Sequence, residues 1–502
     1  MYCNLFVEIP HFTIGLHSAP GETFSCTIRS MVKLTILHTN DIHGHVDQLA
    51  RIASLVKQIR SAVEAVGGFC LYMDAGDSED TVLLESSLTK GSAMAAILRG
   101  AGCEYAALGN AIPIRYGHQA VANLAKHFGQ PLLCANMKDE NGRLVEGLVP
   151  FAIHEFDSLK IGIIGLTAPM DAYTTFFNLK MEEPVEVLPE LIANTRSQGA
   201  RTILLLSHLG SNVDVELPER IEGIDAIIGA HDHQELNPPL RLKDTIIAQA
   251  GDFGRWLGRL DLTIDADTGK VIHYEGRLIP ITNDIPLDPE TQKAVEAEQS
   301  RAQEMMSREV GLLEDPIELS EVGESAAGNL LADALFERVQ GAQMALVLGH
   351  WQNGLEAGPL SQGTLFSASR STANPGRAEL TGEQILQFLR KALKPENAAR
   401  KIRPLRGRPV GLPHVAGACV RYTENVKEIE VEINGQPLDK NQTYIVAATD
   451  MEFADYIDYL VIPFEQIQFE VPTIMPEVLE EYIARHSPIQ RPKDGRVTVK
   501  TY

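Results

Sequence analysis

Residues 33–45 read KLTILHTNDIHGH, and this stretch decides the fold that we expect for the chain. Its first part, residues 33–39, is a short run of apolar and β-branched residues, which predicts a strand. Asp41 and His43 follow directly after it. Alternate positions of an extended segment point the same way, so these two side chains can share one ion. The stretch therefore predicts a strand that ends in candidate metal ligands.

The sequence on either side of this stretch alternates between predicted strands and helices. Residues 46–60 carry apolar side chains at helical spacing, at Leu49, Ile52, Leu55, Val56 and Ile59. Five more apolar runs predict strands, at residues 69–75, 160–166, 201–208, 225–231 and 244–250. Apolar strands that alternate with helices are typical of a largely buried sheet in an α/β fold.

The second half of the chain predicts a separate α/β domain. Asp288 as N-cap and Pro289 at the first helical position predict a mostly polar helix to about Glu309, which we interpret as a connector. Beyond it, residues 323–335 and 381–389 predict helices, the second with a capping box, and residues 428–435 and 443–449 predict strands. We therefore expect four segments: a disordered or spurious extension at 1–30, a first domain at 31–285, a linker helix at 286–312 and a second domain at 313–502.

Composition excludes several classes of protein. The chain has 502 residues, 22% of them charged, and a net charge of −23. This charge argues against a nucleic-acid partner and against electrostatic docking on a membrane of anionic lipid. Six cysteines without a CxxC spacing argue against a disulfide framework and a thiolate metal site.

The N-terminal 30 residues have no clear place in this scheme. They lack the basic start and the unbroken apolar stretch of a signal peptide, and no apolar run in the chain reaches the roughly 18 residues of a membrane span. We predict that residues 1–30 are disordered or belong to an over-long gene model. We also expect the protein to be cytoplasmic.

Five short polar segments carry the chemistry of the first half. Each lies at or just after the end of a predicted strand: TNDIHGH (39–45), DAGD (74–77), LGN (108–110), SHLG (207–210) and GAHDH (229–233). Open α/β sheets bind ligands outside the carboxyl ends of their strands. Oxygen and nitrogen ligands of this kind suit Mn, Fe, Co, Zn or Mg. A single histidine at a strand end is more often packed or exposed than a ligand, but five such segments in order favour a metal site.

These segments, in this order, resemble the dinuclear metallophosphoesterases of the 5'-nucleotidase family. The resemblance extends through LLCAN (132–136), IGIIGLTAP (161–169) and AQAGDFGRWLGRLDL (248–262). GESAAGNLLADAL (323–335) resembles the opening helix of the C-terminal nucleotide-binding domain of that family. The resemblance covers residues 33–502 and is strongest up to residue 265. It implies a four-layer α/β/β/α sandwich, a linker helix and a second α/β domain that binds substrate.

The resemblance also implies a ligand set for two divalent ions. It assigns one metal to Asp41, His43, Asp77 and His233, and the other to Asp77, Asn110, His208 and His231, so that Asp77 bridges them. Mn, Zn, Co, Fe and Mg all remain open as the metal. Two divalent ions would bring four positive charges, of which the two aspartates offset two. The remaining two positive charges would face a phosphate dianion. A pair of divalent ions can clamp phosphoryl oxygens and lower the pKa of a bound water.

The loop after Asn110 departs from the family. Residues 105–118 read YAALGNAIPIRYGH, whereas the family has His-Glu-Phe-Asp directly after Gly-Asn. The position of the family's catalytic His holds Ala111, and its Asp is also absent. Because a positioned general acid contributes about 10²–10⁴-fold, this loss matters.

Three interpretations of the altered loop stay open. The site can be competent only on substrates with good leaving groups. Arg115 or His118 can replace the missing acid, although both can equally face solvent. The protein can also bind metal and ligand without turnover.

The second domain departs from the family at two further places. The family's Asn-Gly-Gly-x-x-Arg loop reads LGHWQNGLEAG (348–358), with Asn353 at the position of the Arg that helps to hold substrate. The late Gly-Gly-Asp-Gly-aromatic segment reads FADYIDYL (453–460). The aromatic side chains of this segment are Phe453, Tyr456 and Tyr459. They can stack on a ring, but we expect them to pack in the core, as we expect for Trp351.

Together these patterns predict an enzyme. The first hypothesis is a metal-dependent phosphoesterase that hydrolyses a phosphomonoester, a nucleotide or related compound, with a role in nucleotide catabolism. The alternative is a catalytically impaired protein of the same fold that binds metal and a phosphorylated small molecule. A third hypothesis, a structural two-domain protein, would require no stoichiometric metal.

Overall fold

The computed structural model describes residues 5–9, 12–17, 25–79, 83–156, 159–320, 323–369, 371–401, 409–453 and 457–500, with side chains from residue 30 onward. The chain divides into two units, Met1–Ala302 and Gln303–Tyr502. This division falls inside a helix, Pro289–Ser307, that the sequence predicts as the connector. Asp288 caps that helix as expected, because its Oδ2 accepts a hydrogen bond of 2.9 Å from the backbone N–H of Thr291.

The first unit contains two main sheets and the helices that cover them. Its strands are β1 Leu5–Ile9, β2 Phe12–His17, β3 Ser25–Thr39, β4 Phe69–Asp74, β5 Tyr105–Ala106, β6 Leu132–Leu133, β7 Met137–Lys138, β8 Leu148–Val149, β9 Phe151–Phe156, β10 Leu159–Thr167, β11 Lys180–Met181, β12 Thr202–His208, β13 Ala226–Ile228, β14 Leu240–Leu242, β15 Thr245–Ala248, β16 Trp256–Asp265 and β17 Val271–Pro280. Its helices are α1 Val46–Ala65, α2 Leu84–Leu88, α3 Ser92–Gly100, α4 Ala111–Tyr116, α5 Gln119–Phe128, α6 Asp171–Phe177, α7 Pro184–Ser197, α8 Ser211–Arg220 and α9 Pro289–Ser307.

The alternation of apolar side chains along β12 shows how the layers form. Leu204 and Leu206 belong to the core shared with Leu34 and Ile36 of β3, in the other sheet. Ile203 and Leu205 instead join the core that contains residues of α7 and α8. Successive side chains of a strand point to opposite faces, so one strand serves both cores. With α1 packed on β4, these cores make the predicted four-layer α/β/β/α sandwich, and that fold class is confirmed.

Strand pairing brings the candidate ligands to one edge of the sandwich. In the first sheet β3 and β4 run parallel, with Thr39 beside Asp74. In the second sheet β10 and β12 run parallel, with Thr167 beside His208. Carboxyl ends of parallel strands lie at the same edge of a sheet, which is where open α/β folds bind ligands. The polar segments that follow these strands therefore meet.

Part of the segment at residues 1–30, which the sequence predicts as disordered or spurious, is assigned to strands. The strand β3 begins at Ser25, before the predicted start of the domain; β2 pairs antiparallel with β3, and β1 pairs antiparallel with β2. The backbone donors and acceptors at the edge of β3 favour such pairing. Residues 1–4, 10–11 and 18–24 lie outside the described residues, and the true start of the native chain stays a prediction.

The second unit is a smaller α/β body. Its strands are β18 Glu309–Leu313, β19 Met344–Val347, β20 Gly358–Ser361, β21 Pro375–Thr381, β22 His414–Ala416, β23 Ala418–Tyr422, β24 Ile429–Ile433, β25 Gln436–Pro437, β26 Thr443–Thr449, β27 Ile467–Phe469 and β28 Val497–Val499. Its helices are α10 Ala326–Arg338, α11 Gln362–Ala368, α12 Gly382–Ala392, α13 Pro395–Ala398, α14 Asp450–Phe453 and α15 Met475–His486, with a 3₁₀ helix at Phe464–Gln466. The predicted capping box of α12, Thr381 with Gln384, is present. Among the described residues of the whole chain, no helix is both long and apolar enough to span a membrane.

Candidate metal centre

Asp41 lies at the centre of one half of the site. Its carboxylate is fully buried, and its Oδ2 accepts hydrogen bonds from Asn40 Nδ2 at 2.8 Å and from the backbone N–H of His231 at 3.0 Å. Its Oδ1 has no hydrogen-bond partner within the described part of the chain. That oxygen lies 3.4 Å from His233 Nε2 and 3.7 Å from His43 Nε2.

The other half of the site is built around His208 and Asp77. His208 Nε2 lies 3.3 Å from Asp77 Oδ2 and 3.1 Å from Asn110 Oδ1. Asp77 Oδ1 accepts a hydrogen bond of 2.9 Å from the backbone N–H of Ala111. The strand ends thus place a carboxylate, an imidazole and an amide oxygen around one point.

All seven predicted ligand positions lie at this edge of the sandwich. Two groups have their ligand atoms within 4.8 Å of one another: Asp41 with His43 and His233, and Asp41 with Asp77 and His208. The ring of His231 has its centroid 5.2 Å from that of His208. Asp41 is thus common to both groups, whereas the family pattern makes Asp77 the bridge; the division of ligands between two ions stays a prediction.

The backbone at these positions is held in an unusual conformation. Five of the seven residues have φ between 48° and 82°, in the left-handed region that non-glycine residues rarely adopt: Asp41, His43, Asp77, His231 and His233. Hydrogen bonds between neighbouring loops hold two of these turns, from Asp41 N to Gly76 O at 2.9 Å and from His43 N to Asp77 O at 3.1 Å. Such strain concentrates at functional sites, where the surrounding structure offsets its cost.

Three histidines share one arrangement of their ring nitrogens. In each, Nδ1 lies within hydrogen-bond distance of an oxygen: His208 at 2.9 Å from Ala75 O, His43 at 3.3 Å from Glu79 O, and His233 at 3.1 Å from Asp252 Oδ2. An oxygen acceptor beside Nδ1 holds one ring proton there, so Nε2 is the nitrogen that can offer a lone pair to a cation. The three Nε2 atoms face into the site, and those of His43 and His233 are only 3.4 Å apart.

These residues fit divalent cations. The Nε2 lone pairs of His43 and His233 face each other at 3.4 Å, beside the unpartnered buried Oδ1 of Asp41. A cation between these atoms would stabilise the site. The oxygen and nitrogen donors suit the metals named from the sequence. One ion would be held by Asp41, His43 and His233, and a second by the group around Asp77 and His208.

Burial and charge shift the pKa values of several groups here. Burial alone would lower the pKa of His208, but the Asp77 carboxylate raises it to about 9. Burial raises the pKa of the Glu79 carboxyl to about 8 and that of the Asp74 carboxyl to about 7. Strongly shifted pKa values of this kind cluster at functional sites.

Sequence reasoning assigned no role to two residues that orient the ligands. Asn40 links Asp41 to the loop of Gly251, because its Nδ2 also donates to Gly251 O at 2.6 Å. Asp252 holds the ring of His233. Both lie inside quoted segments, TNDIHGH and AQAGDFG, but the contact of Asn40 with Gly251 spans 211 positions of the chain and that of Asp252 with His233 spans 19.

The altered loop folds into the short helix α4. Ile112, Pro113 and Tyr116 of this helix are buried, and the Ile112 side chain packs against Gly91. The apolar filling is therefore structural. Arg115 lies in the last turn of α4 and His118 directly precedes α5; their role as a replacement acid stays a prediction.

The altered loops of the second unit also contain packed side chains. Trp351, Phe453 and Tyr459 are buried in its two cores, as expected from the sequence. Tyr456 lies outside the described residues. Asn353, at the position of the family's Arg, is exposed and donates from Nδ2 to Ser367 O at 3.2 Å.

A buried contact between a carboxyl group and an imidazole lies at the carboxyl ends of β19 and β26. Glu452 Oε1 lies 3.0 Å from His350 Nε2 and accepts a hydrogen bond from Leu348 N at 3.0 Å. Burial alone would raise the pKa of Glu452, but His350 and the hydrogen bonds from Thr449 hold it below the usual value. His350 thus stands where the Asn-Gly-Gly-x-x-Arg loop of the family has its second glycine.

Comparison with known proteins agrees with this architecture. Residues 34–235 match the calcineurin-like phosphoesterase family, and residues 309–456 match the 5'-nucleotidase C-terminal domain. The chain belongs to the 5'-nucleotidase family. Metallophosphoesterases use divalent metals, and the candidate ligand groups around Asp41 lie within the residues that match that family.

The individual relatives of the protein are distant in sequence. The uncharacterized metallophosphoesterase YunD of Bacillus subtilis is 26% identical over 90% of the chain and 98% of its own length. Bovine 5'-nucleotidase is also 26% identical, over 60% of the chain and 59% of its own length. The solved structure of Haemophilus influenzae NAD nucleotidase covers 94% of the chain with 17% identity and a TM-score of 0.58, a likeness of fold alone.

Proposed function

We propose that this protein is a metal-dependent phosphoesterase that hydrolyses a phosphomonoester, a nucleotide or a related compound. The observation that carries the proposal is the convergence of three imidazole Nε2 atoms on the buried carboxylates of Asp41 and Asp77. No structural role requires that arrangement, whereas a pair of divalent ions does. The named activity of the bovine relative, 5'-nucleotidase, supports a phosphorylated small molecule as the substrate class.

The residues of the chain have definable roles in this reaction. Bound divalent ions would supply positive charge for the phosphate and lower the pKa of a water. Asp41 and Asp77 would hold the ions, while Asn40, Ala75 O and Asp252 fix the orientation of the ligands. The site lies in a protein of net charge −23, so the attraction for a phosphate must be local.

A second candidate function is binding of a phosphorylated ligand without turnover. The specific observation in its favour is α4, where the half-buried apolar residues Ala111 and Ile114 stand in place of the His and the Asp of the family. An alkyl phosphate needs protonation of its leaving oxygen, whereas an aryl phosphate largely does not. We therefore propose a preference for substrates with good leaving groups.

The test is steady-state hydrolysis by the purified full chain, reloaded with Mn, Co, Zn or Mg in turn. The substrates are an aryl phosphate, an aryl phosphodiester, nucleoside monophosphates and dinucleotides, and the His208→Ala variant is the blank. We expect metal-dependent turnover that is fastest on the aryl phosphate and disappears in the blank. Stoichiometric metal without turnover on any substrate would favour the binding protein instead.

A further inference from the structure

The segment 251–255, GDFGR, is tied to the metal ligands at two points. The backbone N–H of Phe253 donates to the carbonyl of Asp41 at 2.8 Å. Its neighbour Asp252 holds the ring of His233 through a contact of 3.1 Å between Oδ2 and Nδ1. The position of Phe253 is therefore fixed relative to Asp41 and His233.

The backbone of Phe253 adopts a conformation that an aromatic residue rarely tolerates. Its φ is 54°, in the left-handed region, where glycine or asparagine is the usual occupant. Packing does not explain the choice of residue, because 38% of the side chain is exposed. A bulky residue kept in a strained and exposed position is a candidate for a role in ligand binding.

The ring of Phe253 stands beside the imidazoles of the site. Its centroid lies 4.7 Å from that of His45, 5.9 Å from that of His43 and 6.0 Å from that of His233. Two of these rings belong to the candidate ligands around Asp41, so the exposed part of Phe253 borders the metal centre. It is an apolar surface next to a site that is otherwise polar.

We infer that Phe253 is a specificity-determining residue, an apolar wall against which the organic group of the phosphoester packs. This inference rests on the proposed function. With the phosphate at the metal centre, the ester group next to it can contact Phe253. Aromatic rings gain from offset or edge-to-face contact in addition to the burial of their apolar area. The wall therefore favours esters with an aromatic group close to phosphorus over small alkyl esters.

The test compares binding of two probes that cannot be hydrolysed, phenylphosphonate and methylphosphonate. Calorimetric titration of the Mn-loaded full chain would give both dissociation constants. We expect the wild type to bind phenylphosphonate about tenfold more tightly than methylphosphonate, a preference of the size that one aromatic contact supplies. In Phe253→Gly, we expect this ratio to fall to about two or less, with methylphosphonate affinity unchanged.

Two further variants make the outcome decisive. Glycine suits the left-handed backbone, so Phe253→Gly relieves strain, and Phe253→Leu keeps apolar volume and should retain part of the preference. Ile272→Ala, which removes another half-exposed apolar side chain of the same unit, is the control and should leave the ratio unchanged. An unchanged ratio in Phe253→Gly, or an equal loss of affinity for both probes together with loss of metal, would overturn the inference.

The binding readout separates this inference from the proposed function. A wild type that discriminates between the two probes but hydrolyses no phosphate ester would refute the enzymatic proposal and leave the role of Phe253 intact. A wild type that hydrolyses aryl phosphate but binds both phosphonates equally would do the reverse.

Discussion

At the scale of single residues, Gly109 shows how closely the site is packed. A Cβ atom built at this position would lie 2.0 Å from Asp77 Oδ1 and 2.3 Å from Asp77 N. Neither atom can move freely, because Oδ1 also accepts the hydrogen bond from Ala111 N. The absence of a side chain at position 109 therefore allows Asp77 to reach the metal centre.

We expect Gly109→Ala to displace Asp77 and to reduce both metal content and hydrolysis strongly. Overpacking of this kind costs about 1–3 kcal/mol of folding free energy. Metal analysis and thermal unfolding would measure the two effects. The control is Gly142→Ala, where a Cβ meets nothing within 4 Å, so only the left-handed backbone opposes it. Full metal occupancy in Gly109→Ala would contradict the assignment of Asp77 as a ligand.

Asp214 is a buried acid behind the metal ligands. Its Oδ1 accepts a hydrogen bond of 2.5 Å from Ser207 Oγ, while its Oδ2 and Gln249 Oε1 lack partners among the described residues and both border Gly229. Burial raises the pKa of Asp214 to about 8, and the charge of Asp232 adds to the shift. Burial away from water thus favours the neutral form of this carboxyl group.

The raised pKa of Asp214 predicts a pH-dependent stability. The acid has a pKa of about 3.9 in the unfolded chain, so between about pH 4 and pH 8 the folded state holds one more proton. The stability that Asp214 contributes is fully present below its pKa in the unfolded chain. It is lost as the pH rises through its pKa in the folded protein. We expect Asp214→Asn, a neutral isostere, to flatten the fall in melting temperature from pH 5 to pH 8. The exposed Asp244→Asn should leave the slope unchanged, and equal slopes in both variants would contradict the prediction.

At the scale of secondary-structure elements, α4 decides what the site can hydrolyse. Ala111 begins this helix and its N–H binds Asp77, so position 111 lies beside the metal centre. We expect Ala111→His to raise the hydrolysis of alkyl monophosphates by up to about 10²-fold and to change aryl phosphate hydrolysis little, because only the alkyl leaving group needs a proton. Rates on both substrates, with Ala111→Gln as the control, would test this.

The opposite outcome for Ala111→His would also be informative. A histidine that raises neither rate would show that α4 directs position 111 away from the leaving group. The buried Ile112 and Pro113 would then have fixed a loop that one substitution cannot restore.

Sequence patterns predicted the elements of the fold well, because local signals determine them. The strand that ends at Thr39, the capping box of α12 and the cap at Asp288 each depend on residues within a few positions of one another. The antiparallel strands in residues 5–30 were missed, because pairing between strands is not a local property. For the same reason, the contact of Asn40 with Gly251, 211 positions away, and that of Asp252 with His233, 19 positions away, could not be predicted from the sequence.

At the scale of the whole molecule, the candidate metal ligands are confined to one of the two units. All seven lie between Asp41 and His233, inside Met1–Ala302, and each unit has its own hydrophobic cores. A cation that binds only the folded state stabilises the cooperative unit that contains its ligands. Metal should therefore stabilise the two units unequally.

We expect differential scanning calorimetry of the full chain to resolve two transitions, of which only one depends on metal. Chelation should lower the melting temperature of the first unit, because a ligand at 100 times its dissociation constant contributes about 2.7 kcal/mol. The melting temperature of the second unit should change by less than about 1 °C. In a domain of about 150–250 residues, a change of only 1 kcal/mol in the free energy of unfolding would already shift the melting temperature by about 2–4 °C. Asp77→Asn should reproduce the chelated profile without chelator. A single transition that shifts as a whole would show that the units unfold together, and a chelator-sensitive second transition would place a metal site outside the seven residues.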